Sequence, residues 1–411
     1  MLSDEHSLKL LYISKYVLPF DTNGVGTRGF HLVREISKHN IHTTIITSDS
    51  NHLGKTPELK KSFLYEKASN VNFYWLKTLK YKKTKSIKRI LSWIDFEIRL
   101  FQFICFRKKI QKPEIIIVSS LSLLTVISGL ILKLFFKSKI VFEVRDIWPL
   151  TLIEEGGYSK FNPLILILFL IEWIGYKYSD FIVGTMPNLS DHVEQILGYK
   201  KDVFTIPMGF NSNDLEKKED LSERFILDNY PKDKFIVGYA GSIGITNALE
   251  VFFECISSLI DEKNLYFIIY GDGDLKDEFI EKYGNLPNLS FMPKVEKKFL
   301  NSALKKCDLL YLSTYPSKVW VYGQSLNKLV DYMLAGRPIL ASYNGFPSMI
   351  NEANCGKFIS AGDILSLKKE IIRFSKLSSL ELDRIGKRGM DWIIKNREYK
   401  FLASEYLSKI I

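Results

Sequence analysis

LKLLYIS (residues 8–14), PFDTNGVGTRG (19–29), FHLVREISKHN (30–40) and HTTIITS (42–48) succeed one another near the start of the chain. The first is an apolar run of strand length and the second a loop carrying glycines. The third has helical character, and the fourth reads as another strand. A β-loop-α-β unit results, and such units build parallel sheets with helices on their faces. The expected fold class is therefore α/β.

Working outward, further strands read at EIIIVS (114–119), KIVFEV (139–144) and FIVG (181–184). VFTIPMGFN (203–211) closes the first domain, placed at 1–209. A second series begins with KFIVGYA (234–240) and continues through LYFIIYG (265–271), LSFMP (289–293), DLLYLS (308–313) and RPILAS (337–342). Helical stretches separate these strands, so a second sheet domain is expected over 210–384. Two such halves imply a cleft between them. A helical tail, 385–411, ends the chain.

Within the second half, SLNKLVDYMLAGRPILAS (325–342) joins a helix to a strand through Gly336 and Pro338. Ser325 and Asn327 flank the helix start, whose unpaired amides and dipole favour phosphate. Lys328 supplies a mobile positive charge for a diphosphate. Asp331, three residues on, shares a helix face with it and suits a ribose diol. A solvated Lys–Asp pair is the competing reading. Gly241, Ser242 and Gly244 occupy a strand-to-helix turn, where glycine lets amides approach a phosphate. Gly271, Asp272 and Gly273 form a second such turn. Its Asp272-Gly273-Asp274 run also matches a metal-binding carboxylate pair, but it lies deep in the second half, so a nucleotide-facing turn is the preferred reading. RDIWP (145–149) ends the strand KIVFEV at the carboxyl edge where α/β folds place sites, and Pro149 forces an elbow there.

The 325–342 segment resembles the donor-nucleotide motif of family-4 retaining glycosyltransferases, in particular the bacterial O-antigen and capsule branch. That family carries two acidic residues eight positions apart; Asp331 matches the second, while Gly323 stands at the first. The resemblance covers nearly the whole chain and implies the GT-B fold, two Rossmann-like domains facing across a cleft with the last helix returning to the first domain. It implies an acceptor-binding N-terminal half and a nucleotide-sugar-binding C-terminal half. It places the loop of Gly24 and Gly26 against the donor phosphate and sugar, with Arg28 either adding a cationic contact or facing water at the helix start, and it places Asp146 near the reacting sugar with Arg145 as its ion-pair partner. Arg145, Asp146 and Lys328 are then the catalytic candidates. Many members follow the phosphate loop with Arg and Lys, whereas ITNALEV (245–251) has neither, which leaves more of the charge balance to Lys328.

The implied activity is sugar transfer from a nucleotide-diphosphate donor, UDP-linked, to a polyprenyl-diphosphate-linked saccharide, with retention and without a metal or other cofactor. A UDP-sugar 2-epimerase of the same fold and a non-catalytic membrane-bound scaffold are the alternatives.

At 411 residues the chain is long enough for two substantial cores. The formal net charge of +11 is concentrated at 77–112, where Lys and Arg alternate with aromatic and aliphatic residues and only Asp95 and Glu97 are acidic. Zinc-finger spacing and aromatic RNA-binding signatures are absent, which argues against a nucleic-acid partner. The segment fits an amphipathic helix on anionic lipid, with Trp93, Phe96 and Phe103 beneath the headgroups; a basic helix packed on its own domain is the plainer alternative. LSLLTVISGLILKLFF (121–136) and FNPLILILFLIEWIGY (161–176) are too short to span a bilayer and read as buried or membrane-dipping helices. The polar start shows no secretory signal. Four scattered cysteines form no CxxC pair and six histidines no ligand motif, so the expected location is the reducing cytoplasm, peripheral on the inner membrane face.

Overall fold

A computed structural model describes residues 7–19, 26–51, 54–81, 86–107, 110–120, 122–216, 218–293 and 295–411. The chain divides into two units. One runs to Pro207 and takes in Tyr399–Ile411; the other is Met208–Glu398.

The first unit comprises β1 (Lys9–Ile13), α1 (Arg28–Ile36), β2 (His42–Ser48), β3 (Phe63–Ala68), β4 (Val71–Leu76), α2 (Ile87–Arg107) and β5 (Ile115–Ser119). It continues with α3 (Thr125–Phe136), β6 (Lys139–Val144), α4 (Leu150–Glu154), α5 (Pro163–Tyr178), β7 (Phe181–Gly184), α6 (Leu189–Leu197) and β8 (Val203–Thr205). The sheet order is β3-β4-β2-β1-β5-β6-β7-β8, parallel except for β3 against β4. Central strands are buried on both sides: every residue of IIIVS in β5 is interior. The β1-to-β2 crossover runs one way along the sheet and the crossovers through α2, α3 and α5 run the other. Right-handed connections therefore put α1 on one face and α2, α3 and α5 on the opposite one.

The second unit holds α7 (Ser212–Glu216), α8 (Glu223–Asn229), β9 (Phe235–Ala240), α9 (Glu250–Ser258), β10 (Leu265–Tyr270), α10 (Lys276–Tyr283), β11 (Leu289–Phe291) and α11 (Lys297–Lys305). Then follow β12 (Leu309–Ser313), α12 (Asn327–Leu334), β13 (Ile339–Ser342), α13 (Met349–Ala353), β14 (Gly356–Ile359), α14 (Ile364–Ser375) and α15 (Ser379–Asn396). Its sheet, β11-β10-β9-β12-β13-β14, is wholly parallel.

The tail divides differently from the 385–411 boundary drawn from sequence. α15 stays in the second unit, packed on α12, because Gly386 lets it lie against the Gly336 backbone; a Cβ there would overlap the Gly336 carbonyl. Only α16 (Tyr399–Ile410) joins the first unit, where it packs on α1. The β3–β4 hairpin was missing from the sequence reading. Most side chains of β3 reach solvent, so it carries no apolar run.

A second correction concerns α2. Trp93, Phe96 and Phe103 do not reach toward lipid; all three are buried. Phe103 packs edge-on against Phe63 at 5.1 Å, and Trp93 donates its indole N–H to the Tyr16 hydroxyl at 2.8 Å. Among the described residues no helix is long and apolar enough to cross a membrane.

Candidate nucleotide-sugar site

In the second unit, the turns after β9 and β10 are stitched together. The Gly241 amide donates to the Tyr270 carbonyl at 3.0 Å, and the Ile243 amide to the Asp272 carbonyl at 2.9 Å. Glycine is required here: a Cβ on Gly271 would overlap the Gly241 carbonyl, and one on Gly273, at φ +156°, the Ile243 carbonyl. The same bonds use up two of the loop's amides, leaving those of Ser242 and Gly244 as its uncommitted donors among the described residues.

Lys328 closes this loop from α12. A Cβ on Gly241 would overlap the Lys328 side chain, so the glycine makes room for it. The ammonium donates to the Tyr239 hydroxyl and to Asn247 Oδ1, each at 2.8 Å, and lies 4.3 Å from the Tyr239 ring centroid. Tyr239 is fixed in turn by donating to the Ser242 carbonyl at 2.6 Å. Neither partner of Lys328 carries charge, and burial alone pulls its pKa down to about 7. A largely buried cation without a carboxylate is costly unless an anion arrives. The start of α12 points the same way, since Leu326 at its N-cap provides no side-chain cap for the first amides.

The pairing of Lys328 with Asp331 that their spacing allows does not form. Asp331 is half-buried, and burial raises its carboxyl pKa against the opposing fields of Lys297 and Lys218. Ser325 is engaged structurally, accepting a hydrogen bond from the Met208 amide at 2.7 Å, while Asn327 is exposed at the helix start. Asp272 and Asp274 are exposed, and Asp272 accepts a hydrogen bond from the Gly273 amide. Among the described residues no group of three or more His, Cys, Asp or Glu is placed to hold a metal.

Gln324 is a site residue that sequence reasoning missed. It follows Gly323, whose φ is +97°, and is 5% exposed, yet neither its Oε1 nor its Nε2 has a hydrogen-bond partner among the described residues. A buried amide left open on both sides is costly unless a ligand fills it. Tyr239 and Asn247 were also missed, because nothing in their spacing reveals that they cradle a lysine some eighty residues later.

In the first unit, Gly24 lies outside the described residues, and Gly26 packs against the His31 ring. Arg28, expected as a donor contact, is a core residue. Its guanidinium pairs with Glu143 at 2.7 Å, both side chains fully buried, and donates to the Ile206 carbonyl at 2.6 Å and the Pro207 carbonyl at 3.3 Å. The elbow 145–149 is present at the end of β6. The Arg145 amide donates to Ser120 Oγ at 2.9 Å, and Trp148 meets Trp93 edge-on. No Arg145–Asp146 ion pair forms within 4 Å; Arg145 Nη1 is buried without a partner. Burial raises the Asp146 pKa, opposed by the fields of Arg145 and Arg89. A second buried lysine, Lys15, stands at the end of β1, donating to Ser92 Oγ at 2.9 Å and Ser48 Oγ at 3.1 Å. Burial lowers it to about 7.

The two sheets and their connections are those of GT-B glycosyltransferase structures. The Thermosynechococcus elongatus sucrose-phosphate synthase is 13% identical at a TM-score of 0.72, with 98% of each chain covered. The E. coli trehalose-6-phosphate protein bound with UDP-2-fluoro glucose is 12% identical at 0.74, again over 98% of each chain. Anabaena HepE in complex with UDP and glucose is 11% identical at 0.62, covering 98% of this chain and 99% of its own. Residues 234–376, from β9 through α14, match the model of the family described as glycosyl transferases group 1. No curated protein matches the chain by sequence. The chain thus has the GT-B fold, and much of its second unit is similar to the glycosyl transferases group 1 model.

Proposed function

We propose that the protein is a retaining, metal-independent glycosyltransferase that moves a sugar from a UDP-linked donor to a polyprenyl-diphosphate-linked saccharide. The observation that carries this reading is Lys328, a largely buried cation with neutral partners, beside two glycine turns and an uncapped helix start. The missing partner is a compact polyanion, and a nucleoside diphosphate fits. UDP as the nucleotide is supported by the solved structures of the same fold, which hold UDP, UDP-glucose or UDP-2-fluoro glucose. Gln324 would read hydroxyls of the transferred sugar, taking over part of the work of the acidic residue that Gly323 replaces. Asp331 would contact the ribose and Asp146 the acceptor hydroxyl or the sugar.

Transfer would proceed on one face of the sugar. The acceptor oxygen bonds to the anomeric carbon as the bond to the diphosphate breaks, and the acceptor proton passes to the departing phosphate oxygen. The protein's part is positioning and charge stabilisation. The RDIWP elbow supports placing the reaction in the assembly of a bacterial surface polysaccharide at the inner membrane face.

Sugar transfer from UDP-sugars to undecaprenyl-diphosphate-linked saccharides should proceed in EDTA, with Lys328 and the free amides standing where a cation would. Complete loss in EDTA, restored by Mn²⁺ and removed by Asp272→Ala, would overturn the metal-independent reading. Conversion of the donor to its C2 epimer without transfer would establish the epimerase instead.

Gln324→Leu provides a second check because its two effects have opposite sign. Removing a buried unsatisfied amide should leave the ligand-free protein as stable or more stable, by up to about 1–3 kcal/mol. The same change should weaken the donor relative to UDP alone, by about tenfold or more. Equal loss for donor and UDP would remove Gln324 from the sugar contact.

A further inference from the structure

On the first unit, the outer surface of α3 and α5 is apolar where a soluble domain would be polar. Leu134 is 78% exposed, Phe161 74% and Phe135 66%, and Leu166, Ile167 and Leu170 are more than half exposed. α3 packs directly against α5, so these residues lie on neighbouring helices, with Phe161 just before α5, on one face of the sheet. α5 is apolar nearly all round, the pattern of a helix buried on every side, yet part of it faces outward.

The charges around this face are mostly basic, and the Asp180 carboxylate just after α5 is taken up by Lys133 of α3 at 2.8 Å. α3 contains no acidic residue, and the single acidic residue of α5, Glu172, is buried against His192 at 2.7 Å. Lys160 precedes α5 with its ammonium 5.1 Å from the Phe161 ring centroid. Lys177 sits near its end, 4.3 Å from the Trp173 centroid. Lys137 and Lys139 follow α3, both exposed. Long basic side chains beside aromatic rings at the edges of an apolar strip match the arrangement that suits a headgroup–acyl boundary. A second copy of the same face would bring this basic rim against itself, which charge repulsion disfavours.

We propose that the α3–α5 face docks the protein on an anionic phospholipid bilayer, with Leu134, Phe135, Phe161, Leu166, Ile167 and Leu170 entering the interface and the lysines meeting the headgroups. It builds on the reading of a lipid-linked acceptor, gives up the buried aromatics of α2 as the lipid contact, and takes the membrane-dipping alternative for the two helices of 121–136 and 161–176. The helices lie on the membrane and do not cross it.

The test uses the full chain with vesicles of phosphatidylcholine alone and of phosphatidylcholine with phosphatidylglycerol, followed by flotation. Wild-type protein should float with the anionic vesicles, with a part of the binding surviving high salt because apolar burial is not screened. The triple variant Leu134→Gln/Phe161→Gln/Leu170→Gln should bind about tenfold or more weakly. Phe401→Gln, an exposed aromatic of α16 on the opposite side of the sheet, should bind as wild type. The UDP-induced rise in Tm serves as the fold control and should be unchanged in both variants. Wild-type protein that ignores anionic vesicles, or a triple variant that binds like wild type, overturns the proposal. So does a wild-type dimer that the triple substitution converts to monomer with vesicle binding unaltered, which would assign the face to a second copy. Vesicle binding is read without donor, so a failed glycosyltransferase reading appears separately, as the absence of any UDP-induced shift in the wild type.

Discussion

Lys328→Met is expected to lower sugar transfer by about a hundred- to a thousandfold, the cost of removing one preorganised charge that stabilises a leaving oxyanion. Binding of the intact donor should suffer less than turnover, because charge on the diphosphate grows as the bond to the sugar breaks. The pH dependence gives an independent signature. In the unfolded chain this lysine titrates at the ordinary 10.5, and in the ligand-free fold burial lowers it to about 7. Between those values the unfolded state binds the extra proton, so this residue's contribution makes the ligand-free protein more stable as pH rises from 7 toward 10.5. UDP acts in the opposite direction, since it needs the protonated ammonium. Above pH 7 its binding must draw in a proton, and affinity should fall by up to about tenfold per pH unit. Calorimetry in buffers of different ionisation enthalpy measures that proton uptake directly. Lys328→Met should abolish it. Wild-type affinity for UDP that is flat between pH 7 and 9 would remove Lys328 from the diphosphate.

Arg28→Met is expected to destabilise the protein by about 3–5 kcal/mol, the cost of leaving a buried carboxylate unpaired. Glu143 lies fully buried, and burial alone would raise its pKa. Arg28 outweighs that and, with Arg145 and the Tyr12 hydroxyl at 2.8 Å, holds the carboxyl below its ordinary range. For a unit of this size the loss corresponds to a fall in Tm on the order of 10 °C. Adding Glu143→Gln should recover part of it, because the unpaired charge goes as well. The linkage has the usual acid sign: stability from Glu143 is present above the ordinary carboxylate pKa and is lost as pH falls through its lowered folded value. UDP affinity of the folded Arg28→Met protein should match wild type. A variant that melts normally but no longer binds donor would restore Arg28 to the phosphate site.

These two cations show what sequence can and cannot reveal. Both lie in or next to glycine-bearing segments, at 24–28 and 325–342; Lys328 reads as a phosphate ligand from its place at a helix start, and the family resemblance assigns Arg28 a donor contact as well. They diverge because of residues far away: Glu143 waits beneath Arg28, whereas among the described residues Lys328 donates to the neutral Tyr239 and Asn247. The aromatics of α2 repeat the lesson. Trp93, Phe96 and Phe103 alternate with Lys and Arg in a pattern that suits lipid, but the strands and helices beneath them supply an apolar surface of their own.

What the sequence determined by itself is the α/β architecture, because strand-length apolar runs, glycine turns and intervening helices are local patterns that recur along the chain. It also placed Gly241, Gly271, Gly273 and Lys328 as a set, since each sits at a strand or helix end. The edge strand β3 escaped notice because it is half solvated and carries no apolar run. Only the tertiary structure decided which cation has a carboxylate, which amides remain free, and which apolar residues face out. Those are properties of neighbours brought together by folding, and the energy of a charge or a polar group depends on such neighbours far more than on its own place in the chain.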